Sequence, residues 1–305
     1  VNTDPPERTG RHLLGPHVVG TRVVLRRVVR GESGPSGGPA LTDLLGLCVA
    51  WGDGVCVVRP ESGPDVAVSL ADIVSGKPVP PRASVRDRVP PAEAQRHGFA
   101  LFPDLVTVPV GAWVLRDSPT ATARRARSVL AFGPSGVDDD LEQVVAHYDR
   151  PVAAVLSGSP EHQRLLRLGW VPESNDGDTL FQVAAVSQVA RALRGHALPD
   201  DVPDPVLVDE LPGRWVRARI GDLATGYAGC DGEWIGFGGL EVAPHARRRG
   251  LGLAVMAALL DWGAEQGTTT AYLQVLDDNV AALALYAGLG FRTHHRYCYL
   301  TGSAG

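Results

Sequence analysis

The sequence predicts an α/β (α+β) fold on a mixed sheet, preceded by a degenerate half-copy of that fold and a small all-β barrel. Three observations predict it. Residues 233–265 read as a strand, a loop rich in Arg and Gly, and a long apolar helix. Residues 270–291 give strand and helix again and end on Gly290-Phe291, which Gly169-Trp170 echoes upstream. Residues 15–82 are instead short valine-rich runs broken by Gly and Pro, the pattern of a small antiparallel barrel.

Taken in order, residues 1–11 are polar and proline-bearing and read as disordered. Residues 12–88 are expected to form the barrel. Residues 21–29 are of strand length and rich in Val. A Gly/Pro/Ser loop over 31–39 leads to a second strand over 41–51. Asp53-Gly54 is a hairpin turn, and strands over 55–59 and 66–70 follow. The prolines near the end of 70–81 mark a linker.

Residues 92–187 are expected to be the degenerate half. A helix fits 92–97, and strands fit 112–116 and the stretch from 125 to 130. Residues 137–148 have an acidic first turn and apolar residues at helical spacing. Residues 152–156 form a buried-type strand. Ser159 and Pro160 open a capped helix over 159–166.

A short helix over 189–193 and a Pro/Asp linker lead to the last unit, 205–301. Strands are expected over 215–220 and 233–242, and a helix over 251–265 whose apolar set includes Leu253, Val255, Met256, Leu259, Leu260 and Trp262. A strand over 270–275, a helix over 279–287 and a final strand over 292–300 complete it. This unit is short for its fold, so residues 92–187 are expected to supply packing surface that it lacks.

Composition sets outer limits. A chain of 305 residues with 44% hydrophobic and 21% charged residues is long enough for two or three globular domains. Its net charge of −5 argues against nucleic acid as the main partner, because phosphate binding needs a basic field. Cys48, Cys56, Cys230 and Cys298 form no C-x-x-C pair, so no metal is expected. There is no apolar run of membrane-spanning length, and residues 1–8 lack the apolar core of a signal peptide, so no membrane is expected and the location is expected to be cytoplasmic.

The chemistry is concentrated in 240–253 and 279–291. Arg247-x-x-Gly250-x-Gly252 lets backbone approach an anion closely and opens a helix whose first N–H groups are unpaired. The second element is Asn279-x-x-Ala282-x-x-x-Tyr286 followed by Gly290-Phe291. In this order and at this distance the two resemble the acyl-CoA-binding core of the GNAT family of N-acetyltransferases. The N-terminal part looks like the SH3-like barrel that precedes the enzyme in an actinobacterial subfamily. That subfamily often carries Arg-Ala-Asn-Ser where this chain has Arg125-Ala126-Arg127-Ser128.

The resemblance implies an acetyl-CoA-dependent transfer to an amine. It assigns the pyrophosphate to the backbone of Arg248, Arg249, Gly250, Leu251, Gly252 and Leu253, with Arg247 on a phosphate. Leu240 and Val242 flank the pantetheine arm, and Asn279 and Ala282 lie on the helix beside it. Tyr286 is implied as the general acid, its reference pKa of about 10 suiting a thiolate. Glu241 is the first candidate for general base and Glu233 the second, while His245 reads as a turn residue. The acceptor is open among a protein lysine, a protein N-terminus and a small amine. The alternative reading is a non-catalytic CoA-sensing or interaction module, with the barrel recruiting a protein partner.

Overall fold

The computed structural model describes residues 14–34, 37–60, 63–79, 84–194, 199 and 201–302. The expectations for 1–11, for the centre of the 31–39 loop and for the prolines at 80–81 lie outside the described residues. The chain divides into two compact units, one to Ser84 and one from Val85.

The first unit holds β1 (Arg22–Ser33), β2 (Pro39–Gly52), β3 (Val55–Pro60), β4 (Val66–Ser69) and β5 (Ile73–Pro78). They form one antiparallel sheet in the order β4-β3-β2-β1-β5. Asp53 and Gly54 both have positive φ, 50° and 75°, the backbone of a tight hairpin turn. Strand β5 falls where the sequence suggested a linker. Its Gly76 allows the approach of Leu14, whose Cδ1 would lie 2.3 Å from any added Cβ. Val23, Leu25, Cys48, Cys56 and Val58 alternate inward to make the core.

The second unit begins with α1 (Pro91–His97), β6 (Val106–Val110), β7 (Trp113–Asp117), β8 (Val129–Leu130) and α2 (Asp140–His147). It continues through β9 (Val152–Leu156), α3 (Pro160–Arg167), β10 (Val171–Pro172), β11 (Thr179–Ala185) and α4 (Val186–Leu193). Then come β12 (Val206–Leu211), β13 (Trp215–Ile220), β14 (Ala224–Asp231), β15 (Trp234–Val242), α5 (Leu251–Glu265), β16 (Thr270–Leu276), α6 (Val280–Gly288) and β17 (Arg292–Thr301). The strand expected from 125 to 130 shrinks to β8, because 124–126 form a 3-10 turn. Strands β6, β11, β12 and β14 were not singled out in the sequence.

All twelve strands of this unit share one mixed sheet, in the order β12-β13-β14-β15-β16-β11-β17-β9-β8-β7-β6, with β10 paired to β17. The halves are interleaved. Strand β11, from the upstream half, lies between β16 and β17 and is antiparallel to both. Strand β17, from the downstream half, crosses to pair with β9. Strands β16 and β17 of the downstream half thus each pair with a strand of the upstream half. The parallel pairs are β15 with β16 and β8 with β9.

Helix α5 lies against β13, β14 and β15. Its Leu251, Val255, Met256, Leu259, Leu260 and Trp262 are buried. Each such side chain contributes about 1.5–3 kcal/mol. Among the described residues, no helix is long and apolar enough to cross a membrane.

The upstream half differs where the downstream half has its glycine loop. Asp140, at the start of α2, is buried and accepts two bonds from Arg164, at 2.7 and 2.8 Å, and one from Ser135 Oγ at 2.5 Å. Burial pushes its carboxyl up, but Arg164 and Ser135 win and hold it below the usual carboxylate range. An anion at this helix end would meet a fixed carboxylate. This half therefore lacks the open helix terminus that a pyrophosphate requires.

Residues 205–305 expressed alone should fail to give a soluble monomer, since removing β11 strips the partner from both β16 and β17. A dispersed NMR spectrum from a monomeric fragment would show the upstream half to be dispensable.

Candidate active site

The site forms where β15 and β16 part. They are joined only at Trp234–Thr270, Ile235–Ala271 and Gly236–Tyr272. Beyond Gly236, β15 stays with β14 and leaves β16. A register shift between Thr225 and Tyr227 marks a bulge in this stretch. Gly238 and Gly239 make it possible: the Tyr227 ring packs so closely that a Cβ on either would lie 2.5 Å from it. Gly239 also has φ of 56°. The departing arm, Leu240 to Val242, thus presents backbone groups with no partner on β16.

A cavity of about 900 Å³ lies along this arm. Leu240, Glu241, Val242, Arg247, Arg248, Gly252, Ala282 and Tyr286 line it. Arg217, Arg219 and Thr225, from β13 and β14, complete the wall. Sequence reading did not find these three. They sit on neighbouring strands, and nothing in their own segments links them to the loop. Four arginines against Asp222 and Glu241 leave the lining net positive, suited to a polyanion.

The loop is built for close approach. Arg248 and Gly250 have φ of 62° and 82°, and Gly250 precedes α5 as its N-cap with no side-chain cap. No acidic residue lies in the first turn of α5. The first N–H groups of this helix therefore face the loop with the positive end of its dipole. A left-handed Arg costs about 1–2 kcal/mol. Burial of Leu251, Val255 and Met256 directly behind it outweighs that cost. An added Cβ at Gly250 meets no protein atom within 4 Å, so there is room for a ligand beside it.

The other loop residues take separate places. Arg247 Nε donates to the Val242 carbonyl at 3.3 Å. Arg249 turns away and holds both oxygens of Asp201 at 2.7 Å, which leaves its backbone for ligand contact. Leu253 packs against the α5 core, and Leu251 is buried. His245 is exposed on the short 3-10 turn before the loop.

Asn279 caps α6, accepting the Ala282 N–H at 3.1 Å. This fixes the helix that carries Tyr286 to the cavity. Tyr286 packs against Phe291 with ring centroids 6.0 Å apart. Burial raises its pKa above the usual phenol value, so it holds its proton across the neutral range. Glu241 lies in register with Thr225, on the face of the sheet opposite Leu240 and Val242, which pack toward α5. Glu233 precedes β15 at its far end, about 26 Å along the strand from Glu241, and accepts from Thr269 Oγ1 at 3.2 Å. The second candidate base is thus removed from the cavity. Among the described residues, no group of three or more His, Cys, Asp or Glu is placed to hold a metal ion.

Replacing Asn279 with Ala should cost about 1 kcal/mol, read as a Tm about 2–4 °C lower for a unit of this size. An unchanged Tm would show that α6 is held without its cap.

Comparisons with known proteins agree with this geometry. Residues 99–300 match the family model described as "Probable histone acetyltransferase Rv0428c C-terminal". The chain is 28% identical over 298 residues to the "Probable histone acetyltransferase Rv0428c" of Mycobacterium tuberculosis, spanning 92% of this chain and 95% of that protein. It is 29% identical over 124 residues to an L-2,4-diaminobutyric acid acetyltransferase of Nocardia farcinica, across 40% of this chain and 62% of that one. A solved GCN5-related N-acetyltransferase from Kribbella flavida aligns at 17% identity over 73% of this chain and 97% of its own, with a TM-score of 0.45. The chain belongs to the Rv0428c C-terminal acetyltransferase family and is a GNAT N-acetyltransferase.

Proposed function

We propose that this enzyme transfers the acetyl group of acetyl-CoA to a primary amine by direct attack in a ternary complex. The observation that carries the reading is the parting of β15 from β16 beside the uncapped N-terminus of α5. The GNAT family uses acetyl-CoA as donor, and the residues here fit it. The backbone from Arg248 to Leu253 would hold the pyrophosphate, with Arg247 supplying charge. Leu240 to Val242 would pair with the pantetheine arm through free backbone groups. Bound there, acetyl-CoA supplies an activated carbonyl and a thiol leaving group.

The roles of the side chains follow from position. Glu241, on the face away from α5, takes the proton that the attacking amine loses, directly or through one water. A backbone N–H of the unpaired β15 arm stabilises the carbonyl oxygen as it gains charge. Tyr286, kept protonated by burial, donates its proton to the departing sulfur. The nitrogen–carbon bond forms, the carbon–sulfur bond breaks, and the phenolate recovers its proton from solvent. The antiparallel order of residues 22–78, with β1 paired on both edges, supports reading the first unit as the SH3-like barrel that the sequence suggests.

Two experiments test this reading. Isothermal titration should show acetyl-CoA binding to wild type and to Tyr286→Phe, while Gly250→Glu abolishes it. In a thiol-release assay Tyr286→Phe should lose about 10²–10⁴-fold in kcat. Because the phenol must be protonated to act and its pKa is raised, wild-type kcat should decline only above about pH 10. A Tyr286→Phe enzyme with wild-type kcat would remove the phenol from the mechanism.

A further inference from the structure

A second cavity, of about 230 Å³, opens on the face of the sheet opposite α5. It is lined by Arg124, Arg125, Thr179, Gln274, Leu276 and Tyr299. Gln274 alternates with Leu273 and Val275, which pack into the α5 core, and accepts from Tyr297 Oη at 2.5 Å and Gln95 Nε2 at 3.4 Å on the other face. The cavity therefore follows β16 past Tyr272, its last residue joined to β15. It borders one arm of the divergence while the larger cavity borders the other.

Among the described residues, no carboxylate lines this space. Arg125 Nε is sealed from solvent and has no hydrogen-bond partner. Burial opposes its charge, but the phenols of Tyr297, Tyr299 and Tyr227 outweigh this, Tyr297 also by a hydrogen bond, and raise its pKa; among the described residues no Asp or Glu pairs with it. A second cation, Arg116, is only 2% exposed and donates to the Ser128 carbonyl at 3.0 Å and Oγ at 2.8 Å. Arg124, by contrast, is satisfied, with Glu173 at 3.0 Å, Asp176 at 3.2 Å and the Tyr299 ring at 4.7 Å. Arg125 thus keeps one buried donor, Nε, unpaired beside a cavity lined by a phenol and an amide. A buried donor without a partner is costly until an acceptor completes it. The planar guanidinium fork matches the two oxygens of a carboxylate.

Tyr227 connects this cavity to the reaction centre. Its ring packs on the same core of Phe181, Trp234 and Tyr272 as Ala123 of the cavity wall, and lies against the Gly238–Gly239 bulge of β15. We propose that the second cavity is the acceptor's anion subsite: Arg125 binds the carboxylate of a small amino-carboxylate, whose amine then faces the parting of β15 and β16. This rests on the acetyl-transfer reading above, and it selects a small molecule over a protein lysine as acceptor.

The test uses the full chain and paired amines: glycine, β-alanine and 4-aminobutyrate, each as free acid and as carboxamide. Wild type should favour at least one acid over its amide by about 10- to 100-fold in kcat/KM, the scale of a lost charge-assisted bond. Arg125→Met should bring that ratio to about 1 through KM, and Arg125→Lys should recover part of it. Titration of the N-acetylated acids in the presence of CoA gives a readout free of turnover, and should show binding to wild type that is lost in Arg125→Met. Equal acid and amide rates in wild type, an equal loss on both in Arg125→Met, or no binding of any N-acetylated acid would overturn the subsite. Titration of acetyl-CoA on the same samples separates this from failure of the parent reading. If acetyl-CoA binds while the acids do not, only the subsite falls. Inorganic phosphate binding with no acid preference would mark a free-anion site and also overturn the proposal.

Discussion

The exchange of β11 and β17 between the two halves is the constraint on which the enzyme unit depends. Each strand is antiparallel to the other, and each pairs on its outer edge with a strand of the opposite half. Without β11, β16 would have an open edge a few residues from where it must also leave β15. One strand cannot be free on both sides and hold its register, because backbone N–H and C=O groups buried without partners are costly. The upstream half therefore contributes to the site without having to bind the same ligand. Its helix α2 is free to spend its N-terminus on the Asp140–Arg164 pair, a local packing device.

With β16 fixed by β11, β15 can diverge. The divergence creates two things at once: unpaired backbone along residues 240–242, and a gap connecting the two faces of the sheet. The α5 face carries the loop and the uncapped helix end. The opposite face carries Glu241, Tyr227 and the interior arginines of the upstream half. Reactants that approach from opposite faces could meet at the gap, as the direct transfer proposed above requires. Gly239, Arg248 and Gly250 of this region have positive φ, and Arg248 does so without being a glycine. The left-handed Arg248 is held where backbone must come close to a ligand, and the buried face of α5 over-determines it.

The stretch Arg125-Ala126-Arg127-Ser128, which differs at one residue from the Arg-Ala-Asn-Ser that the sequence resemblance implies, also has a simple placement. Arg127, where the Asn would stand, is exposed, whereas Ser128 and Arg116 are buried and bonded to one another. The change falls on the surface of the turn, and the interior contacts do not depend on it.

Much of this was legible in the sequence. The Arg-Gly loop, α5, the Asn279 cap and Tyr286 follow from local rules of glycine conformation, helical spacing and capping, which act within a few residues. The α/β class follows from the alternation of those elements. Strands β11, β12 and β14 were missed because their pairing, rather than their own pattern, makes them strands: β11 is buried on both faces and reads as a plain apolar run. The remoteness of Glu233, the cavity walls from Arg217 to Thr225, and the isolation of Arg125 were not legible either. They depend on which strands lie side by side, on register and on the absence of an acid in space. Those are non-local quantities, fixed only when segments far apart in the chain pack together. The sequence by itself determined the loop, its helix and the capped helix of Tyr286; only the tertiary structure decided that β11 would hold the sheet open beside them.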